Sequence, residues 1–236
     1  MARTVSVVAF VRANYDLAGL KELAAGIGAD GINVSNKNVA ALNLGSFVVR
    51  RCRESEFLDV LAKTPPAAPK PIALPTPSPL PPFDVSDAQS SKKTLYPWLM
   101  GHNKEALRDL AAAIGMDPDN LPEDQSESAR ELFLFSERRL LHPALVALAS
   151  GESPTPALLA ARKQLRAELA SAQDTMSLYK FLDTHFEGEE LSFLELPLGL
   201  PGTGTIMRRA QALAESGQTN PTLAEAMARE MGISEH

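Results

Sequence analysis

The chain has 236 residues, 44% of them hydrophobic and 22% charged, with a net charge of −6. That balance excludes wholesale disorder, and so mild a negative charge exerts no general pull toward nucleic acid or anionic membrane. The single cysteine, Cys52, excludes an internal disulfide framework and a multi-cysteine metal site, and no run approaches the roughly 18 apolar residues of a membrane span.

The N-terminus, Met1-Ala2-Arg3-Thr4, runs into a short apolar segment without a small-residue cleavage site, so no signal peptide and a cytoplasmic location are expected. Residues 1–63 are rich in Val and Asn. Two of their segments, Val5–Val11 and Gly45–Val49, also read as strands. Half of the 18 prolines fall between Pro65 and Pro82. Proline fixes φ and lacks an N–H, so this stretch reads as an extended spacer, continued by the small and polar residues Ser86–Lys93. Pro79-Leu80-Pro81-Pro82 also fits a loose proline-ligand motif, a match common by chance. Leu107, Leu110, Ala111 and Ile114 follow helical spacing. So do Leu132, Phe135 and Arg139, and then Leu158, Leu159, Arg162, Leu165, Arg166 and Leu169 behind Pro154 and Pro156.

A repeat runs through these elements. Leu20-Lys21-Glu22-Leu23-Ala24-Ala25-Gly26-Ile27-Gly28-Ala29-Asp30 matches Leu107-Arg108-Asp109-Leu110-Ala111-Ala112-Ala113-Ile114-Gly115-Met116-Asp117 without a gap. Phe47–Arg51 parallels Phe135–Arg139. A weaker third copy aligns Leu178–Leu182 with Leu95–Leu99, Glu190–Leu194 with Ala106–Leu110, and Leu198–Pro201 with Ile114–Asp117. Each unit has about 57 residues, near the lower size for independent stability. Its helix stops at a cap glycine, and a longer helix follows, ending in Arg-Arg in the first two copies. The expected architecture is mainly α. Unit 1 spans 1–63, a Pro-rich linker 64–93, unit 2 94–150, a helical connector 151–176 and a divergent unit 3 177–236.

The second unit carries Leu95-Tyr96, Glu105–Leu110, Ile114-Gly115-Met116-Asp117, Asn120-Leu121-Pro122, Ser128–Leu132 and Glu137-Arg138-Arg139. In this order they resemble the bacterial effector-associated domains, the death-like helical modules of prokaryotic conflict and antiviral signalling. The resemblance implies small death-like bundles in tandem and a non-catalytic adaptor. Its partners would be proteins with cognate modules joined to a caspase-like protease, a TIR domain or an NTPase, and self-association is also implied. Unit 3 departs from the pattern, with Pro201 where the others have Asp. The expected interaction surface is charged: Arg50, Arg51 and Arg53 in unit 1; Asp117, Asp119, Glu123, Asp124, Arg138 and Arg139 in unit 2; Glu187, Glu189 and Glu190 in unit 3. Residues 1–63 carry a net +2, 94–150 a net −4 and 177–236 a net −5, so basic and acidic units could dock head to tail.

Other motifs carry weaker chemistry. Gly26-Ile27-Gly28-Ala29-Asp30-Gly31 spells G-x-G-x-x-G, but it follows a helix instead of opening one, where the dipole repels phosphate. Gly199–Thr205 resembles a phosphate loop without its lysine. His102, His142, His185 and His236 do not show metal-ligand spacing, and Cys52 among Arg50, Arg51 and Arg53 lacks a nearby histidine base. Trp98 reads as a core anchor. Arg162, Lys163 and Arg166 form a short basic stripe, weakened by Glu168. No cofactor and no metal are assigned. A helical regulatory or nucleic-acid-binding protein is the alternative function, with Arg50, Arg51 and Arg53 as its contacts.

Overall fold

The computed structural model describes residues 2–66, 71–74, 76–186, 190, 191, 194 and 220–234. Among these, all regular structure is helical: eleven α-helices and one short 3-10 turn, with no strand. The chain forms two compact units. One comprises Met1–Pro71 with Asp119–Glu123, the other Ile72–Pro118 with Asp124–His236.

The first unit contains α1 (Ala2–Asn14), α2 (Leu17–Gly26), α3 (Lys37–Arg51) and α4 (Glu54–Lys63). Asp16 starts α2 by accepting the Gly19 N–H at 2.9 Å, and Asn36 starts α3 by accepting the Val39 N–H at 2.9 Å. These bonds satisfy donors that a helix start leaves open. Asp119 and Asn120 add to this: Asp119 Oδ2 accepts the Leu17 N–H at 2.8 Å, and Asn120 Oδ1 the Asn38 N–H at 3.0 Å.

Both Val-rich segments are helical, which overturns their reading as strands. Strand preference is a statement about packing on a half-buried surface, and here the packing favours helix. Val8 and Val11 from α1 and Leu44 and Val48 from α3 are buried together with Leu20, Leu23 and Phe57. Gly45 gives α1 its seat: a Cβ at that position would overlap Val8 Cγ2 and lie 3.4 Å from the Val8 backbone nitrogen. Gly26 plays the same part for α4, since a Cβ there would lie 2.6 Å from Val60 Cγ1.

In the second unit, residues 76–83 form no helix and pass along its surface. Pro77 lies over the left-handed Gly151 (φ +74), where a Cβ would be 2.9 Å from the proline ring. Helix α5 (Ala88–Met100) starts inside the segment 64–93, because Asp87 accepts the Ser90 N–H at 2.9 Å and fixes a start there. Then come α6 (Lys104–Ala113), the 3-10 turn Pro118–Asn120, α7 (Gln125–Arg138) and α8 (His142–Ala149). Leu95, Leu99, Leu107, Leu110, Leu132 and Leu145 are fully buried among them. Helices α9 (Thr155–Ser171), α10 (Thr175–His185) and α11 (Asn220–Glu230) share a second cluster of Leu165, Leu169, Leu178, Phe181, Leu182, Phe186 and Met227, with Leu191 and Leu194. Gly199–Thr205 and Pro201 lie outside the described residues.

The two well-matched sequence copies close their helices with the same bonds. At the end of α2, Ile27 N donates to Leu23 O, Gly28 N to Ala25 O and Ala29 N to Ala24 O, at 3.2, 3.1 and 2.8 Å. At the end of α6, Ile114, Gly115 and Met116 donate to Leu110, Ala112 and Ala111 at 3.1, 3.1 and 2.9 Å. Both glycines are left-handed, at φ +69 and +86. This closure needs a residue that tolerates positive φ. Gly115→Ala is therefore expected to cost about 1 kcal/mol although the space around it is open, and Gly115→Asn less. Urea unfolding measures this, and an alanine variant as stable as the parent would contradict the cap reading.

Candidate interaction surface

The structure distributes the charged residues singled out above unevenly. Arg50 and Arg51 are exposed in the last turn of α3, where they oppose the negative end of the helix dipole, and the Arg51 guanidinium lies 6.0 Å from the Phe47 ring centre. Arg53 is exposed between α3 and α4, and its N–H donates to Glu56 Oε2 at 3.1 Å. Asp117 is half-buried and Glu123 exposed. Asp124 caps α7 through the N–H groups of Ser126 and Glu127 at 2.9 and 3.0 Å, and its bonds to Ser126 hold its carboxyl below the usual range. Asp119 receives the Leu17 N–H described above. Glu187 and Glu189 lie outside the described residues.

Arg138, Arg139 and Glu190 form a junction inside the second unit. Arg138 pairs with Glu131 at 3.0 Å. The Arg139 guanidinium donates to Glu190 at 2.7 Å and to the His185 carbonyl at 2.7 Å, and stacks 4.9 Å from the Phe186 ring centre. Arg139 is only 7% exposed. Burial lowers its pKa, Glu190 acts against that, and an arginine remains charged. His185 completes the junction, with Nδ1 2.6 Å from the Arg138 carbonyl and Nε2 3.1 Å from Glu168. Both ring partners are oxygen acceptors, a backbone carbonyl and a carboxylate. Arg138 and Arg139 thus hold α7, α9 and α10 together instead of standing at the surface.

His142 opens α8, buried against the Phe133 ring at 4.9 Å between centres. Burial lowers its pKa, against the pull of Glu137 and of the bond the ring donates to the Phe133 backbone carbonyl, and the positive helix start also disfavours the cation. The unfolded chain takes up this proton near pH 6.5 and the folded one only at lower pH. Stability is therefore full above about pH 6.5 and is lost as pH falls through the lower folded value. His142→Leu is expected to flatten this acid limb of the Tm profile, and an unchanged limb would place the dependence elsewhere.

An open apolar groove lies in the first unit. Val7 and Phe10 of α1, Val48 of α3, and Glu54, Phe57, Leu58 and Leu61 of α4 line a groove of about 330 Å³. Phe57 and Val48 are buried at its base, whereas Phe10 is 44% and Leu58 56% exposed. Spacing alone does not expose this. Phe57, Leu58 and Leu61 read as one apolar helix, but only Phe57 turns fully inward. A second groove, of about 480 Å³, runs between α5 and α7 in the other unit, lined by Lys92, Tyr96, Arg130, Phe133, Leu134 and Glu137. Tyr96 meets Phe133 edge to face there, at 5.8 Å between ring centres.

The remaining candidates sit in local structure. Cys52 is half-buried just after α3, with Sγ 3.4 Å from the Arg53 carbonyl. His102 Nδ1 lies 2.8 Å from the Trp98 carbonyl, and its ring packs 4.5 Å from the half-buried Trp98 indole. In the basic stripe, Arg162 and Lys163 are exposed, and Arg166 donates to the Ser234 carbonyl at 2.9 Å. His236 lies outside the described residues. No group of three or more metal-ligating side chains occurs among the described residues, and no described helix is long and apolar enough to cross a membrane. No protein-family model, curated protein or solved structure matches the chain.

Proposed function

We propose that the chain is a non-catalytic adaptor of tandem helical modules, linking sensor and effector proteins through cognate modules in a bacterial conflict-signalling system. One observation carries most of the weight. Two copies of one helix–cap–helix pattern end their helices with the same hydrogen bonds and the same left-handed glycine. Duplication of a small helical unit supplies several docking faces on one chain, which is what a linking protein requires. The resemblance of residues 94–150 to effector-associated domains supplies the partner class: proteins that join such a module to a caspase-like protease, a TIR domain or an NTPase. The grooves of both units give such partners somewhere to dock.

The test is reconstitution. The intact chain is mixed with a purified effector bearing a cognate module, encoded beside it in the genome, and binding is measured across salt concentrations. A stoichiometric complex that persists in salt supports the adaptor. Binding to nucleic acid that weakens steeply with salt, with no effector complex, supports the alternative of a nucleic-acid-binding protein.

A further inference from the structure

We propose that the exposed ridge formed by Pro79 and Pro82 docks into an aromatic-lined, basic-rimmed groove on a partner protein. The inference goes beyond the adaptor reading and uses none of its docking faces. From Thr76 to Pro82 every residue is a proline or directly precedes one. A proline ring fixes its own φ, and it pushes the residue before it out of the helical region, so the segment is held to the polyproline II form with three residues per turn. Burial follows that period. Pro77, although itself exposed, lies against Gly151, and Leu80 and Phe83, three and six residues further on, are half-buried. Ser78, Pro79, Pro81 and Pro82, on the other two edges, are exposed. Pro79 and Pro82 stand one turn apart on the same outward edge, the spacing at which a row of aromatic side chains accepts two prolines. This presentation separates the match from the many that occur by chance.

Two further observations define the partner. No residue from Thr76 to Phe83 makes a hydrogen bond to another described residue, so the carbonyls of the ridge are left to accept from tryptophan or tyrosine donors in a groove. The proline rings already hold the extended form, so binding costs little chain entropy. The charge on the segment is one-sided. From Pro71 to Asp87 there is no Lys or Arg, and the two charged residues, Asp84 and Asp87, are acidic and exposed. Asp84 stands two residues beyond Pro82. A groove flanked by basic side chains complements this segment, and one with an acidic rim repels it.

Calorimetric titration of the full chain into a panel of purified SH3 and WW domains, chosen with acidic, neutral and basic groove rims, tests this. Micromolar binding to basic-rimmed members is expected. Pro79→Ala combined with Pro82→Ala should weaken it by about tenfold or more with an unchanged circular dichroism spectrum, since both residues are exposed and outside the helices. Pro71→Ala, away from the ridge, should leave binding as it was. Asp84→Lys should weaken binding to basic-rimmed members and strengthen it to acidic-rimmed ones. Three results overturn the proposal: no member of the panel binds, binding is indifferent to the double proline variant, or Asp84→Lys leaves the order of preference unchanged. A chain that binds no panel member and still forms the effector complex would leave the adaptor reading standing and refute the proline ridge alone.

Discussion

Gly45→Leu is expected to unfold the first unit, with a loss of roughly 3 kcal/mol or more. Even a Cβ at position 45 runs into Val8 Cγ2, and Val8 cannot turn away easily, because a β-branched side chain in a helix is held to one rotamer. The Val8 backbone nitrogen lies 3.4 Å from the same point, so α1 sits at contact distance with no slack for a larger side chain. A leucine would push α1 off α3 and uncover Val8, Val11, Leu44 and Val48. Gly45→Ala is the more informative variant, since alanine gains about 1 kcal/mol of helix propensity over glycine. It should nevertheless destabilise, and Val8→Ala should recover part of the loss by removing the colliding methyl. Chemical denaturation of the single and double variants reads this directly. Two effects that simply add would show that Gly45 and Val8 do not oppose each other.

Arg139→Ala is the second large effect, about 3 kcal/mol, confined to the other unit. The substitution leaves the Glu190 carboxylate and the His185 carbonyl without their guanidinium, in a place where Arg139 itself is 7% exposed. Removing one member of a buried pair costs more than the pair contributes, because the other charge stays desolvated. Arg139→Met with Glu190→Leu should therefore cost less than Arg139→Ala alone. Because the junction joins the ends of α7 and α10 to Glu168 of α9, hydrogen exchange should rise first in α10 of the single variant. Uniform exchange change across α5–α8 instead would show that the arginine supports that core and not the junction.

Much of the helical layout is legible in the chain. The apolar spacing of Leu107, Leu110 and Ala111, the caps Asn103 and Asp124, and the glycines after Ile27 and Ile114 are local signals, and local bonds realise them. The start of α5 has a local signal as well, Asp87 three residues before Ser90, but small polar composition and neighbouring prolines hide it. The Val-rich segments show where such signals run out. Nothing local distinguishes a valine facing a sheet from one facing a second helix, and the glycine that admits α1 lies far along the chain from Val8.

The placement of the charged residues depends still more on partners distant in sequence. Arg138 and Arg139 look like a basic helix end, and the sequence copy Arg50-Arg51 is one. The residues meeting Arg139 are some fifty positions away, at His185 and Glu190, and they turn a surface pair into an interior one. Leu58 shows the reverse case, an apolar residue in a core-like pattern left outward. By itself the sequence determined the mainly helical class and several of the helix ends, because capping, left-handed glycines and apolar periodicity act within one or two turns. Only the tertiary structure decided which charges are consumed inside, which apolar side chains stay exposed and where a groove opens. Those outcomes depend on which surfaces meet across long sequence separations, and burial, not residue type, sets the cost of each.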